Sequence, residues 1–398
     1  MNIISKYHKN PSCYKKYLIH IKKNHVMWKK RHISFLTQTD IDPARLISTL
    51  KQSYSYFTSD NDKKILETIL KDFENKNFEL LNTQEIQYLT KNSEKKWAKY
   101  LIHRHKFNYY EDHHVLPDFP IYLLLEPVSA CNLRCPFCHQ VDNDFTSNQQ
   151  MMGNMDLNLF KKIIDEAHDS GTQAITLTCR GEPTLHPQIG EMIEYCSDKF
   201  IELKMNTNAT RLNEKLIHQI LKSGMTELVF SVDSHDKEEF ESLRVGANFE
   251  SVVSNIKKFN EIRGHDYPNS VCTTRASGVQ VGKQDPEKFK KFWEPFVDHV
   301  VMVNMLYRWD IYNNTENSGS KGFCHYLARS LSIYFDGSAI PCDIDYEGRL
   351  SVGSIKDKSI REIWNGEKYD GLINAHKDGK RDKYVPCDRC PIGASDGN

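Results

Sequence analysis

The sequence predicts an α/β protein in which six β/α units follow a helical region and precede a small cysteine-rich lobe. The main observation is that, from Ile121 onward, short apolar segments alternate with segments of helical periodicity. The predicted strands are 121–126, 174–179, 201–206, 227–233, 271–279 and 299–305. Clear helical patterns between them include Leu157–Ser170, Asn213–Ser223 and Val252–Ile262. Such alternation is typical of a parallel sheet with crossover helices.

Residues 1–118 are predicted to form a helical accessory region, because they show helical spacing and no strand alternation of note. Apolar residues recur at helical intervals in one segment, for example Ile65, Leu66, Ile69, Leu70 and Phe73. Residues 1–50 hold ten Lys and Arg against two Asp, a net charge of +8 in a chain whose total is zero. This basic segment suits an anionic partner, although a solvated basic face is the simpler explanation.

Directly after the first predicted strand, three cysteines follow one another at a C-x3-C-x2-C spacing: Cys131, Cys135 and Cys138. Three thiolates can hold three irons of a cubane [4Fe–4S] cluster and leave the fourth iron without a protein ligand. Structural clusters and structural zinc sites normally have four protein ligands. The spacing therefore points to a cluster that binds another molecule at its open iron, with a zinc knuckle or a chance spacing as the alternatives.

At these residues the chain resembles the radical S-adenosylmethionine (SAM) enzymes, whose signature is this loop with an aromatic residue before the last cysteine, here Phe137. The resemblance implies that SAM chelates the open iron and is cleaved to a 5′-deoxyadenosyl radical, which abstracts hydrogen from a substrate. It also implies that residues 119–305 form a partial (β/α)6 TIM-type barrel, with ligands at the carboxyl ends of the strands.

A second motif of this family is matched by Gly181-Glu182-Pro183, which follows the second predicted strand. The resemblance implies that this segment meets the amino group of SAM, since a carboxylate facing an ammonium makes a charge-assisted contact. Arg180 stands where the first glycine of the motif usually lies, which leaves the local backbone path open. Taken alone, Gly-Glu-Pro would be an ordinary strand-to-helix turn.

Two later strand ends and one arginine fit the same pattern. The resemblance implies that Asn206, Asn208 and Ser231 line the ribose and methionine moieties of SAM, and that Arg244 lies near the SAM carboxylate. Taken singly, each could instead be a strand-end cap or a surface charge.

Near the far end, four cysteines have the spacing C-x17-C-x44-C-x2-C: Cys324, Cys342, Cys387 and Cys390. Together with Gly337, they resemble the SPASM and twitch extensions of radical SAM enzymes, which bind auxiliary clusters. A full SPASM pattern has seven cysteines, so residues 306–398 are predicted to be a twitch-like or truncated lobe with one [4Fe–4S] cluster. A tetrahedral zinc site is the competing hypothesis. Because the same chain carries the N-terminal radical SAM motifs, an iron–sulfur cluster is favoured.

Four of the eleven cysteines remain outside these two sets: Cys13, Cys179, Cys196 and Cys272. Cys179 and Cys272 lie in apolar, strand-like segments, where a thiol usually packs as a small buried hydrophobe. Cys179 also lies beside Gly181 and could donate a hydrogen atom to a substrate radical. Disulfides are not expected, because oxygen-sensitive clusters need a reducing compartment.

The sequence says least about the substrate. The chain resembles SPASM and twitch proteins that act on carbohydrates, and Arg308 and Trp309 could bind the phosphate and the sugar face of such a substrate or simply pack the lobe. Oxidation of a carbohydrate or other small molecule, with the auxiliary cluster as electron acceptor, is the first hypothesis. A peptide maturase and a redox-neutral sugar epimerase or mutase are the alternatives.

The expected partners follow from this chemistry. We expect a small-molecule substrate, with a phosphate- or nucleotide-bearing sugar as one candidate, and an electron donor such as flavodoxin or ferredoxin. A nucleic-acid partner is not expected. The absence of an apolar segment of ~18–20 residues argues against a transmembrane segment and favours a cytoplasmic location.

Overall fold

A computed structural model describes residues 41–113, 116–305, 311–313 and 322–390. The contacts divide the chain into two compact units, Met1–Leu101 and Ile102–Asn398. The division falls within one helix, Glu94–His113. The domain boundaries predicted at 118/119 and 305/306 stay predictions.

The described part of the first unit is helical, with α1 at Pro43–Gln52, α2 at Asp60–Glu74, α3 at Thr83–Lys91 and the start of α4, Glu94–His113. Local sequence signals begin these helices. The Asp42 carboxylate accepts from the backbone of Ala44 and Arg45 at 3.1 and 3.2 Å, and Asn82 and Glu85 form a capping box at α3. Stacked Tyr88 and Tyr100, with ring centroids 3.6 Å apart, are part of the buried interior of this unit.

The second unit contains a sheet of nine strands in the order β6-β5-β4-β3-β2-β1-β7-β8-β9. The strands are β1 Tyr122–Leu125, β2 Ala174–Leu177, β3 Glu202–Thr207, β4 Glu227–Ser231, β5 Thr273–Gln280, β6 His299–Asn304, β7 Ser330–Ile333, β8 Ser338–Ile340 and β9 Gly353–Ser354. Neighbouring strands from β6 through β7 are parallel, and β8 and β9 are antiparallel. Because the described strands end at two edges, the sheet is an open, partial barrel, which confirms the predicted fold class.

Helices alternate with these strands along the chain. They are α5 Asn143–Thr146, α6 Leu157–Asp169, α7 Ile189–Tyr195, α8 Glu214–Lys222, α9 Lys237–Leu243, α10 Phe249–Asp266, α11 Pro286–Trp293, α12 His325–Arg329, α13 Ile360–Trp364 and α14 Glu367–Lys377. None of the helices in the described part of the chain combines the length and apolar character needed to cross a bilayer.

The two faces of the sheet differ because side chains alternate along each strand. One face carries apolar residues such as Leu123, Ile175 and Phe230, which join one large core with the surrounding helices. The other face carries polar residues: Tyr122, Thr176, Lys204, Asn206, Ser231 and Arg275. The helices therefore pack against the apolar face, and the polar face is left for the interior of the partial barrel.

Two features of the sheet differ from the sequence-based expectation. Strand β2 ends at Leu177 rather than at Cys179, because Cys179 has a φ of +89°, a left-handed backbone that does not continue a strand. Strand β7 pairs in parallel with β1, with Leu123 opposite Leu331. The polypeptide after residue 322 thus continues the barrel sheet, which the predicted division into barrel and lobe did not anticipate.

Candidate functional site

The three-cysteine loop lies just beyond the carboxyl end of β1. Its local structure is a turn in which the Cys138 amide donates to the Cys135 carbonyl at 3.0 Å, and the Leu133 amide points at the Cys131 sulfur at 3.4 Å. Cys135 is buried, and Cys131 and Cys138 are half-buried. The structure therefore brings together the three predicted ligands, each close enough to influence the ionisation of another.

These thiols need a metal to become thiolates. Burial raises the pKa of Cys131 to about 11 and that of Cys135 to about 12, so both are protonated at neutral pH without one. Metal ligation requires the deprotonated sulfur, and the metal itself supplies the driving force. Reduced cysteines on a loop beside a strand end are a donor set that fits an iron–sulfur cluster.

The segment Arg180–Pro183 packs directly against this loop. A side chain at Gly181 would collide with the carbonyl oxygens of Val128 and Ala130, so the close approach requires glycine. The Glu182 amide donates to the Ala130 carbonyl at 3.0 Å. The backbone of this segment can therefore pack closely on the residues that lead into the cysteine loop.

Glu182 is buried and held by the chain itself. Its carboxylate accepts from the Thr207 hydroxyl at 2.6 Å, the Asn208 amide at 2.7 Å and the Thr184 hydroxyl at 2.7 Å. Burial raises its pKa, and these hydrogen bonds oppose the shift. Glu182 joins the end of β2 to the end of β3, and its predicted contact with the SAM ammonium stays a prediction. Pro183 begins a single 3-10 turn, Pro183–Leu185.

The predicted asparagines reach two different places. The Asn208 amide group donates to Asn132 at 3.0 Å and lies 3.9 Å from the Cys131 sulfur, so it contacts the cysteine loop. Asn206 lies on the polar face of the sheet, where its amide group donates to Thr178 at 3.3 Å. Ser231 is half-buried at the end of β4 and pairs with Ser277 of β5. The SAM contacts predicted for all three stay predictions.

Arg244 also reaches the cysteine loop, and a residue that was not predicted from the sequence, Asp233, holds it there. Its guanidinium forms an ion pair with the fully buried Asp233, lies 3.8 Å from the Cys135 sulfur and faces the Phe137 ring at 5.8 Å. The Asp233 carboxylate in turn accepts from the Val279 amide at 2.8 Å. An acidic residue two positions after Ser231, at a predicted strand end, was the available signal. The predicted contact of Arg244 with the SAM carboxylate stays a prediction.

The four C-terminal cysteines converge from distant parts of the chain. Cys324 precedes α12, Cys342 follows β8, and the turn Cys387–Arg389 brings the amide of Cys390 to the Cys387 carbonyl at 3.4 Å. Cys342, Cys387 and Cys390 each lie close enough to Cys324 for an electrostatic effect. Burial raises the pKa of Cys324 to about 11, so here too a bound metal would have to supply the thiolate form.

Buried Arg381 ties these cysteine segments together. Its guanidinium donates to the carbonyls of Cys387 and Gly322 at 3.1 Å and approaches the Cys390 carbonyl at 3.5 Å. Gly322 lies two residues before Cys324, so one side chain contacts both ends of the cysteine set. The sequence offered no signal for this role, because Arg381 lies in a charged segment that looks solvated.

The remaining predicted residues have mixed outcomes. Cys196 and Cys272 are buried and pack in the core. Cys179 is half-buried, and burial raises its pKa well above its usual value; Glu126 and Asp343 add to the shift. Cys13, Arg308 and Trp309 lie outside the described residues, as does most of the basic N-terminal segment.

Comparisons with known proteins agree with this geometry. A family model described as the radical SAM superfamily matches residues 125–292, and a model described as an iron–sulfur cluster-binding domain, SPASM, matches residues 324–391. A tungsten-containing aldehyde ferredoxin oxidoreductase cofactor-modifying protein of Pyrococcus furiosus is 23% identical over 300 residues, which cover 62% of this chain and 82% of that protein.

Two further related proteins are each matched over most of their length. A cysteine-type anaerobic sulfatase-maturating enzyme of Clostridium novyi is 22% identical over 325 residues, covering 67% of this chain and 84% of that enzyme. The crystal structure of Streptococcus suis SuiB bound to S-adenosylmethionine superposes with a TM-score of 0.53 at 18% identity, covering 84% of this chain and 88% of that one. At this identity the structural likeness shows the fold alone.

Proposed function

Because the chain belongs to the radical SAM superfamily and carries an SPASM domain, we propose that it oxidises a polar small molecule, with a carbohydrate as the first candidate. A radical SAM domain binds a [4Fe–4S] cluster and SAM, and an SPASM domain binds auxiliary iron–sulfur clusters. When bound, these groups supply a 5′-deoxyadenosyl radical that removes a hydrogen atom from the substrate and a cluster that accepts the electron which the substrate radical loses with a proton. A reductant, such as flavodoxin or ferredoxin, is needed for each SAM cleavage.

The observation that carries this proposal is the contact between the two cysteine-bearing regions. The loop after Cys342 reaches the end of β2, where Asp343 lies near enough to Cys179 to influence its ionisation. The same loop contacts Arg180, next to Gly181, through the Tyr346 carbonyl at 3.0 Å. A substrate bound beside the end of β2 would therefore lie near both sites, as an electron transfer after hydrogen abstraction requires.

The polar face of the sheet supports a hydrogen-bonding substrate. Along it, Lys204 pairs with Glu202 and Glu227 at 3.4 Å each, and Arg275 pairs with Glu227 at 3.3 Å. These two basic and two acidic side chains are therefore paired with one another. Hydroxyl and amide groups such as those of Asn206 and Ser231 suit the many hydroxyls of a carbohydrate.

Peptide or protein modification is the second candidate function. Two relatives that this chain covers over more than four fifths of their length are described as a cofactor-modifying protein and as a sulfatase-maturating enzyme. The substrates implied by those names are bound cofactors or side chains of proteins. The same pair of sites could oxidise such a target if the polar face admits an extended segment.

An isotope-transfer experiment separates the two candidates. Cells of the source organism are grown in deuterated medium, and their extract is divided into a small-molecule fraction and a protein and peptide fraction. Each fraction is incubated with anaerobically reconstituted protein, SAM and dithionite, and 5′-deoxyadenosine is analysed by mass spectrometry. Protein with Cys131, Cys135 and Cys138 all changed to Ala is the matched control.

The expected result is deuterium in 5′-deoxyadenosine only with the small-molecule fraction and the unmodified cysteines, followed by a product two electrons more oxidised. Transfer only from the protein and peptide fraction would contradict the first proposal and support the second. Transfer with an isomeric product would instead identify a redox-neutral epimerase or mutase, for which Cys179 is the candidate hydrogen donor. No transfer from either fraction would contradict all three.

A further inference from the structure

Arg180 differs from the motif around it, and its contacts suggest a purpose for the difference. We propose that Arg180 is a positioning residue that holds the loop after Cys342 at a fixed distance from the three-cysteine loop. The inference rests on the proposed function only for its consequence, which is efficient electron transfer between the two sites. Four residues form this connection, which we call the inter-loop junction: Glu126, His139, Arg180 and Tyr346.

The Arg180 side chain reaches in two directions. Towards the barrel, it makes a bidentate pair with Glu126, at 2.7 Å from Nε to Oε2 and 2.6 Å from Nη2 to Oε1. Towards the lobe, Nη1 donates to the Tyr346 carbonyl at 3.0 Å, and the guanidinium lies over the Tyr334 ring at 3.6 Å. One planar group therefore connects the end of β1 with the segment that follows Cys342, and the planar fork of arginine fixes the orientation.

The backbone of Arg180 holds the other loop. Its carbonyl accepts from the side chain of Gln140 at 2.8 Å and lies 3.2 Å from His139 Nε2, and both residues directly follow the cluster ligand Cys138. Its amide donates to Glu126 at 3.1 Å. Arg180 thus contacts the segment that follows Cys138 through its backbone and the loop after Cys342 through its side chain.

The two loops also touch directly at the junction. The His139 ring stacks on the Tyr346 ring, with centroids 4.9 Å apart and planes 13° from parallel. The Tyr346 hydroxyl donates to Asp142 at 3.0 Å, just beyond the three-cysteine loop. Tyr346 lies four residues after Cys342 and His139 one residue after Cys138, so the stack spans the gap between the two ligand sets.

The energetics of the buried Glu126–Arg180 ion pair indicate that it fixes the position of the loop after Cys342 and does not only stabilise the fold. Glu126 and Arg180 are both buried, with exposures of 0% and 5%. A buried ion pair pays a desolvation cost that often cancels its attraction, so apolar residues of similar size would stabilise the fold as well. What an apolar pair would not supply is the directed hydrogen bond to Tyr346. We therefore assign the positioning role to the planar guanidinium of Arg180, which directs a hydrogen bond to the Tyr346 carbonyl.

The test removes the pair as a unit. Arg180→Met alone would leave the Glu126 carboxylate buried without its cation and could fail to fold, so the informative protein is the double variant Glu126→Gln/Arg180→Met. Glu126 binds the backbone amides of residue 180 and Phe335 through its two different oxygens, at 3.1 and 3.2 Å, and the single oxygen of the glutamine keeps one of these two contacts. Lys258→Met is the matched control, because it removes an exposed ion pair of 2.7 Å with Glu214 in the same unit.

Two readouts report position. The first is the distance distribution between the two clusters, measured by pulsed dipolar EPR on dithionite-reduced protein without substrate. The second is amide hydrogen exchange of the segment 341–350. In the double variant we expect a broader distance distribution and exchange faster by at least about ten-fold, the ratio for loss of one charge-assisted hydrogen bond. Lys258→Met should match the unmodified protein in both.

The same samples exclude simple unfolding. We expect the double variant to keep about eight iron per chain and substrate-free SAM cleavage within about two-fold. Its melting temperature should fall by less than about 10 °C, since only one or two buried polar groups lose a partner. An unchanged distance distribution and unchanged exchange would overturn the proposal. So would loss of auxiliary iron or a large fall in melting temperature, since Arg180 would then be needed for folding. If the unmodified protein held only one cluster, the proposed electron acceptor would be wrong, and exchange alone would decide the role of Arg180.

Discussion

The two cysteine sites of this protein are built in opposite ways. The three predicted ligands of the first lie within eight consecutive residues, Cys131 to Cys138, whereas the four predicted ligands of the second come from a span of 67 residues, Cys324 to Cys390. The first is shaped by a turn beside β1 and the second by a buried arginine that joins separate segments. A local motif can therefore show its chemistry in the sequence, while a dispersed site depends on the folded lobe.

The largest expected effect comes from removing the local site. Changing Cys131, Cys135 and Cys138 together to Ala should abolish SAM cleavage and remove about half of roughly eight iron per chain, because each cubane carries four. Iron and sulfide analysis with 5′-deoxyadenosine measurement checks this. The lobe should keep its cluster, since none of its ligands is changed. SAM cleavage by the triple variant would show that the two sites do not divide the chemistry as described.

At the dispersed site, we expect a large loss of stability from changing Arg381, a residue that is not a predicted ligand. Arg381→Met removes the donors to Cys387, Gly322 and Cys390 and leaves buried carbonyls without partners, which should cost about 3 kcal/mol or more of unfolding free energy. Denaturant unfolding and auxiliary iron content measure the loss. Lys380→Met is the control, because Lys380 pairs with Asp378 at 2.8 Å on the surface. Equal effects of the two variants would refute the assigned role of Arg381.

At the first site, Glu182→Gln should weaken SAM binding about ten-fold or more, if Glu182 makes its predicted charge-assisted contact with the SAM ammonium, worth roughly 1.5–3 kcal/mol. Iron content should stay unchanged, since no ligand is altered. The buried hydrogen bonds of Glu182 add a fall in stability of about 1–3 kcal/mol, so binding is measured by calorimetry at a temperature where the variant is folded. Glu191→Gln, at an exposed pair with Lys161, is the control. A Kd equal to that of the unmodified protein would leave Glu182 with a structural role only.

The smallest predicted effect is a pH dependence of the stability of the C-terminal lobe, which contains the dispersed site. His376 is buried in the lobe, and burial, together with Arg381, lowers its pKa from 6.5 to about 4. As the pH falls, His376 therefore takes up its proton at a higher pH in the unfolded chain than in the folded one. The stabilisation by neutral His376 is fully present above pH 6.5 and is lost as the pH falls from 6.5 towards 4. Between pH 7 and 5.5 the lobe should lose about 1 kcal/mol, and His376→Leu should remove that dependence. Chemical denaturation at both pH values tests this, with exposed His168→Leu as the control; a dependence that survives in His376→Leu would contradict the assignment.

The fold was predictable from the sequence to the extent that its signals are local. All six predicted strands are present, for example β4 at Glu227–Ser231 within the predicted 227–233, because apolar alternation depends only on neighbours along the chain. The spacing of Cys131, Cys135 and Cys138 and the Gly181-Glu182-Pro183 turn are equally local, and the comparisons confirm the family that they indicate.

The contacts of the predicted residues were decided by the tertiary structure. Asp233 meets Arg244, and Arg180 meets both Glu126 and Tyr346, across separations that no sequence periodicity describes. The pairing of β7 with β1 likewise joins residues more than two hundred positions apart. A side chain shows its chemical type in the sequence, but its partner is chosen when burial forces each charge and hydrogen-bonding group to be satisfied inside the fold. The sequence by itself therefore determined which chemistry this protein carries, and only the packed chain decided how its two sites are held together.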